Sequence, residues 1–337
     1  MGEKNGRTLK FDKHIGIINS ASVVGKKEGE GPMSKYFDMI VNDEYFGEKT
    51  FEKAESRFQK TALNLALQKS LLTMPSLDLI ASGDLLNQCM SSCYSVRDLG
   101  VPHIGLFGAC STMTLSVLVA AMSIESGYSK IAAAMTSSHF CTAERQFRQP
   151  LQYGAQRPPS AQNTVTAAAA VIVGQDQGRV RVDSITVGSV IDFLVNDANT
   201  MGAAMAPSAC DTLCRFLEDT GTVPADYDMI YTGDLGAVGA GILRDMVKER
   251  GFILGDNYHD CGLMIYSRKN QDVHAGGSGC GCSGAVLASY VIPALNVGKF
   301  KKVLFMSTGA LMSPTALFQG ESIPGVSHLM YLRGEEI

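Results

Sequence analysis

Leu77-Asp78-Leu79-Ile80-Ala81-Ser82-Gly83-Asp84-Leu85 is echoed 150 residues later by Tyr227-Asp228-Met229-Ile230-Tyr231-Thr232-Gly233-Asp234-Leu235. Each is an apolar run ending in Gly-Asp-Leu, the pattern of a buried strand that runs into a turn. A second echo lies 171 residues apart. Gly108 to Ser138 reads as a Gly/Cys/Ser turn, an apolar helix, Gly127, a lysine and the strand Ile131 to Met135. Gly279 to Gly309 repeats that order, with Gly298, lysines and the strand Val303 to Met306. Strand, loop, helix, strand at these lengths suits a crossover between parallel strands. Self-similarity on this scale describes the whole fold. The chain is expected to be α/β and to consist of two similar halves, 1–178 and 179–337. The break falls near Gln175-Asp176-Gln177-Gly178, before the strand-like run Arg179 to Ile191. Leu115 to Ala121 is apolar all round, as in a helix covered on every side. That predicts five layers, α-β-α-β-α, with the two repeat helices in the middle.

Composition agrees with large buried layers and excludes several classes. Of 337 residues, 45% are hydrophobic and 18% charged, with 35 glycines and no tryptophan, a mix that favours packed helices and sheets over an all-β sandwich. The formal net charge of −4 argues against a nucleic-acid partner, which needs a basic face. Leu115 to Met122 is far shorter than the roughly 20 apolar residues a bilayer span needs. The start, Met1-Gly2-Glu3-Lys4-Asn5-Gly6, is polar and lacks the Ser or Thr at position 6 of a myristoylation site. A soluble chain is expected, touching membrane only through partners. Nine cysteines, an odd count in mostly apolar segments, suit a reducing compartment where thiols serve as small hydrophobes. Cys89 and Cys93, and Cys210 and Cys214, are spaced as on one helix face.

The turn Gly108-Ala109-Cys110-Ser111 before the first central helix, and Gly281-Cys282-Ser283-Gly284-Ala285 in the second, resemble the thiolase and ketoacyl synthase superfamily. Within it, Glu144-Arg145-Gln146-Phe147-Arg148, Tyr153-Gly154, Gln156-Arg157-Pro158-Pro159, Ala161-Gln162 and Thr164-Val165-Thr166 resemble the stage V sporulation protein AD family. The resemblance implies a thiolase-like fold and a homodimer across the first half's edge strand. It also implies binding of dipicolinic acid (pyridine-2,6-dicarboxylate) or its calcium chelate, to support uptake into the developing spore. The partners it implies are other proteins of the stage V sporulation channel system, and the location is the forespore, peripheral at the spore inner membrane. No cofactor is implied.

Cys110 is placed where a nucleophile belongs. A helix N-terminus carries unpaired N–H groups and partial positive charge, which favour a thiolate and can hold an oxyanion. Acyl transfer needs two further groups, one to activate the thiol and one to polarise a carbonyl. Thiolases carry a Gly-His-Pro turn before the second central helix; here the turn is Gly277-Ser278-Gly279. The second partner falls at about Thr232 to Asp234. Thr232 and Gly233 cannot act as bases, and Asp234 reads as a turn residue because Asp84 is its twin. The expectation is a pocket kept for binding, without catalysis. The rival is an active acyl-CoA condensing or thiolytic enzyme that uses Cys110 with His139, His259 or His274 as base. A scaffold with a vestigial pocket is a third reading.

A dicarboxylate would call on backbone N–H groups at the helix start and on arginines, which pair bidentately with carboxylates. Arg145, Arg148 and Arg157 follow closely on the strand end Thr136-Ser137-Ser138-His139. Cys110, Thr136, Ser137, His139, Arg145, Arg148, Arg157, His259, His274 and Ser278 are therefore the candidate ligand-binding residues. His259 and His274 are expected to flank a strand, Leu263 to Tyr266. His14, His103 and His328 read as structural. His259-Asp260-Cys261 and Cys280-Gly281-Cys282 offer four soft ligands, but the spacing differs from that of structural zinc sites, so no metal is expected. Gly276-Gly277-Ser278-Gly279 lacks the Gly-Lys-Ser/Thr ending of a phosphate loop.

Overall fold

The structure, a computed structural model, describes residues 2–147 and 157–335. Its main sheet follows one path of ten strands, which divides into two halves of identical order. From its edge the first half runs His103–Gly105, Leu79–Gly83, Ile131–Ser138, Ala167–Gln175 and Ile15–Gly25. The second runs Tyr258–Asp260, Met229–Thr232, Lys302–Ala310, Gly325–Gly334 and Val180–Thr186. In each half the three outer strands are parallel and the next two pairings antiparallel. The two echoed segments of the sequence occupy equivalent places. The halves join where Val180 and Arg181 pair with Ile17 and Gly16. The N-terminal hairpin Glu3–Asn5 and Thr8–Lys10 crosses over to pair with Val180–Thr186. Asp219 secures it, its Oδ2 accepting from the backbone N–H of Arg7 (2.9 Å) and Thr8 (3.1 Å).

The period of two along each strand sorts side chains into separate cores. In Ile131–Ser138, Ala132 and Ala134 join the central core, whereas Ala133 and Met135 face the outer helix of the first half. In Lys302–Ala310, Val303 and Phe305 face the centre and Leu304 and Met306 face outward. Both halves of the sheet are thus covered on both faces, as parallel strands require. Thr112–Glu125 lies in the middle layer, which explains its lack of a polar face. Phe51–Lys69 covers the first sheet from outside, its start capped by Thr50, whose hydroxyl oxygen accepts from Lys53 N–H. Met201–Thr220 packs on the outside of the second sheet, with Gly236–Glu249 beside it. This is the thiolase-like five-layered arrangement.

The second central helix departs from regularity. Cys280–Val286 passes into a π-helical turn, Leu287–Val291, and returns to α-helix at Ile292–Asn296. Pro293 has no N–H to give the preceding turn, and the Ser20 hydroxyl donates to the Ala288 carbonyl at 2.8 Å. The strand expected at Leu263 to Tyr266 is absent. The edge strand is Tyr258–Asp260, with His259 inside it, and Cys261–Met264 is a helical turn. Gly262 lies so close to the Gly277 carbonyl that a Cβ would sit 2.5 Å from its oxygen, so the chain turns there rather than extending the sheet. Cys210 and Cys214 are buried on one helix with their sulfurs 3.9 Å apart. Cys89 and Cys93 do not share a helix face: Cys89 precedes Met90–Val96 in a left-handed conformation, φ 51°. Among the described residues no helix is long and apolar enough to cross a membrane.

Candidate functional site

The site forms where the two central helices begin. Gly309, at the end of a central strand, lies against the Cys110 turn; a Cβ there would come within 2.3 Å of the Gly108 carbonyl oxygen. Gly279, at φ 101°, brings the second helix start up to the Ser138 hydroxyl. These close approaches put Cys110 and Ser278 together, with Sγ and Oγ 4.0 Å apart. Both are buried. Ala109, just before the cysteine, has φ 47°, a strained value for a residue with a side chain.

Asp234 completes the cluster. Its Oδ2 accepts from Gly279 N–H (2.8 Å) and from the Ser278 hydroxyl (3.2 Å), and its Oδ1 accepts from the Thr308 hydroxyl (3.0 Å). The Cys110 thiol lies near enough to this carboxylate to feel its charge. Burial pushes Asp234 up to about 6, against the pull of its donors. Burial, then the Asp234 charge, holds the Cys110 thiol well above its ordinary value. A helix N-terminus offers a thiolate about 1 kcal/mol. Burial and the neighbouring carboxylate both act against the thiolate and hold the thiol's proton affinity well above its ordinary value, so they outweigh the helix start and favour the protonated thiol.

Asp234 is therefore not the turn residue that its twin suggests. Asp84 does cap its own turn, accepting from Leu86 N–H (2.8 Å) and from Ser92 N–H and Oγ (2.7 Å each). In the second half Asp260 takes over that duty, accepting from Leu235 N–H (2.8 Å), Gly236 N–H (3.0 Å) and the Thr232 hydroxyl (2.7 Å). Asp234 is thereby released to face the thiol.

A cavity of about 120 Å³ opens above Cys110 and Ser278. Leu85, Phe107, Phe147, Met201 and Met312 supply apolar walls, and Glu144, Gln162, Thr164 and Asn199 supply polar groups. Gln162 is held rigidly: its amide N–H groups donate to the Asp234 carbonyl (2.7 Å) and the Gly277 carbonyl (2.8 Å). Those two bonds fix the amide's orientation and leave its Oε1 buried without a protein partner. Gln162 belongs to the Ala161-Gln162 block of the sequence, but nothing in its spacing marks it as a cavity residue.

The other candidates sit elsewhere. Thr136 donates to the Gly83 carbonyl (3.1 Å) and Ser137 to the Glu55 carboxylate (3.1 Å), and neither lines the cavity. The His139 ring packs among Phe51 and Phe58, its Nε2 on the Glu44 carbonyl (2.9 Å), and burial lowers its proton affinity. His259 stacks on Tyr231 with ring centroids 5.8 Å apart. His274 pairs with Asp272 at 3.1 Å. All six histidines of the chain are among the described residues, and none lines the cavity. Arg145 pairs with Glu52, and Arg157 pairs with Asp272 and donates to Asn163 at 3.2 Å. Among the described residues no arginine or lysine lines the cavity. Arg148 lies outside the described residues, as do Tyr153, Gly154 and Gln156. The helical turn that starts at Cys261 packs against the helix of Cys280 and Cys282, but the described residues hold no cluster of three or more metal-ligating side chains placed to hold an ion.

The sequence matches the family Stage V sporulation protein AD (SpoVAD) across residues 5–333. It is 43% identical over 322 residues to Stage V sporulation protein AD of Bacillus subtilis (strain 168), spanning 96% of this chain and 95% of that protein. Among solved structures it is similar to a single-residue variant of Xanthomonas campestris OleA (TM-score 0.61, 12% identity, 96% of this chain and 99% of that one). It is also similar to human mitochondrial 3-ketoacyl-CoA thiolase in complex with CoA (TM-score 0.59, 10% identity, 96% and 98%). A third is 3-oxoacyl-[acyl-carrier-protein] synthase III from Aquifex aeolicus VF5 (TM-score 0.58, 16% identity, 95% and 99%). At such identities the likeness of these structures is one of fold.

Proposed function

The chain belongs to the stage V sporulation protein AD family, and we propose that it is a non-catalytic binding protein which takes dipicolinic acid, or its calcium chelate, into the cavity above Cys110. The observation that carries this reading is the company the thiol keeps. Cys110 has the Ser278 hydroxyl at 4.0 Å and the Asp234 charge nearby instead of an imidazole, and burial beside that charge favours the protonated thiol. Removing one member of a catalytic unit commonly costs several orders of magnitude in rate. Here both customary partners are replaced, while a cavity with apolar walls and a few fixed polar groups persists, the usual character of a small-molecule site. In this reading the protein supports uptake of the ligand into the developing spore. It works in the forespore, peripheral at the spore inner membrane, with other proteins of the stage V sporulation channel system. A homodimer forms across the exposed edge strand His103–Gly105.

Calorimetric titration tests the reading. Dipicolinate, alone and with calcium, is expected to bind the wild type, and Cys110→Ala is expected to weaken that binding. Short acyl-CoAs are expected to leave no acyl group on the protein by mass spectrometry. Acylation of Cys110 would instead establish the enzyme reading, with Asp234 taking the thiol proton. Unchanged dipicolinate affinity in Cys110→Ala would remove the thiol from the site.

A further inference from the structure

Two loops of the second half form one stitched unit beside the cavity. The first follows the strand Val180–Thr186 and the second follows Lys302–Ala310. Ile191 and Gly325 exchange backbone hydrogen bonds at 2.9 and 2.7 Å, and Ile323 N–H donates to the Val195 carbonyl at 2.7 Å. The Ser322 hydroxyl bonds to Asp192, whose other oxygen accepts from Leu194 N–H at 2.8 Å. This framework holds Leu194 in a left-handed conformation, φ 59°, which a branched side chain adopts only where its surroundings impose it. The unit exposes large apolar side chains: Phe193 is 60% exposed, Leu194 79% and Phe318 75%, with Val190 also exposed. Isolated exposed apolar residues are ordinary, but several on two loops tied together by these bonds suit a contact surface. The same two loops supply Ala198, Asn199 and Met312 to the cavity lining, so one pair of loops both lines the cavity and exposes these side chains.

Charge selects the occupant. No lysine or arginine occurs from Val182 to Cys214 or from Val303 to Leu332, while the two loops carry the exposed carboxylates of Asp192, Asp197 and Glu321. An anionic bilayer attracts basic segments and repels this one. A second copy of a chain with net charge −4 is a poor electrostatic match. We propose that the Phe193–Leu194–Phe318 surface docks a segment of a partner protein that combines apolar side chains with lysine or arginine, seated at the mouth of the cavity. The proposal goes beyond the ligand reading and holds whichever small molecule the cavity takes.

The test uses a fluorescently labelled helical peptide of leucine and lysine, with a leucine and glutamate peptide as its counterpart, followed by anisotropy. The leucine–lysine peptide is expected to bind the full chain more weakly as salt rises. Its affinity should fall by at least about tenfold in the double variant Phe193→Ser/Leu194→Ser and fall again in Glu321→Lys. The substituted side chains point into solvent, and an unchanged melting temperature confirms that the variants fold. Any of these results would overturn the proposal: no binding of the leucine–lysine peptide, equal binding to the double variant, equal binding of the leucine–glutamate peptide, or sedimentation with phosphatidylcholine or phosphatidylglycerol vesicles that the double substitution abolishes. Self-association lost in the same variant would equally overturn it, in favour of a second copy.

Discussion

Asp84 and Asp234 follow equivalent strands, yet one closes a turn and the other puts its charge beside a thiol. The difference arises because Asp260 binds the Leu235 and Gly236 N–H groups, leaving Asp234 free to meet Ser278, Gly279 and Cys110. Asp234→Asn should therefore change the thiol more than the fold. Removing the carboxylate charge takes away one cause of the raised Cys110 value, so the thiol should ionise at lower pH. Site-resolved alkylation by iodoacetamide, read by mass spectrometry, is expected to show Cys110 modified faster in Asp234→Asn than in the wild type between pH 7 and 9. An equal or slower rate would mean that burial alone governs the thiol. The sequence carried only part of this arrangement. The repeat spacing set Ser278 opposite Cys110, since both stand at starts of equivalent helices. It could not say that His139 would turn into the Phe51 and Phe58 rings, nor that Gln162 would be pinned by two carbonyls. Those outcomes depend on contacts between segments far apart in the chain, and no local pattern encodes them.

At the scale of elements, the two echoes were enough to find the strands at Ile131 to Met135 and Val303 to Met306 and the helices before them; their central place in each half of the sheet came from the structure. Features that rest on one tertiary contact were hidden: the π-turn relieved by Ser20, the N-terminal hairpin tied to Asp219, and the turn at Gly262. The edge strand His103–Gly105, which no sequence pattern marked, bears on assembly. Among the described residues it pairs on one side only, with Leu79–Gly83. Ile104, Met122 and Tyr128 are exposed around it, and an uncovered apolar edge invites another strand. Phe107, just beyond this strand, lines the cavity, so the proposed dimer would reach the binding site. Ile104→Asp puts a charge at the centre of that edge. Sedimentation velocity is expected to show a dimer for the wild type and a monomer for the variant. A wild type that sediments as a monomer at micromolar concentration would remove the dimer from the proposal.

For the molecule as a whole, buried carboxyl groups set how stability responds to pH. Glu55 sits beneath the first sheet's turn, accepting from the Ser137 hydroxyl (3.1 Å) and the Thr142 hydroxyl (2.8 Å). Burial, and then the nearby Asp84 charge, push it up to about 8. Asp260 is pushed up to about 7, again chiefly by burial. A carboxyl with a raised folded value keeps its proton in the folded state after the unfolded chain has lost it. Stability then falls as pH rises, from the unfolded value near 4 up to the folded one, at about 1.4 kcal/mol per pH unit for one proton. Buried histidines act in the opposite sense over a lower range. His328, lowered to about 4 by burial, loses stability as pH drops below about 6.5, where the unfolded chain takes up a proton. Above pH 6.5 that opposing effect has ended, whereas Glu55 still holds its proton. The unfolding free energy from urea titration is therefore expected to fall between pH 6.5 and 8. In Glu55→Gln, which keeps an acceptor for one hydroxyl and cannot ionise, the fall should be shallower by up to about 1.4 kcal/mol per pH unit. A wild type whose stability is flat or rising across that range, or a variant with the wild-type slope, would show that Glu55 is ionised in the folded protein.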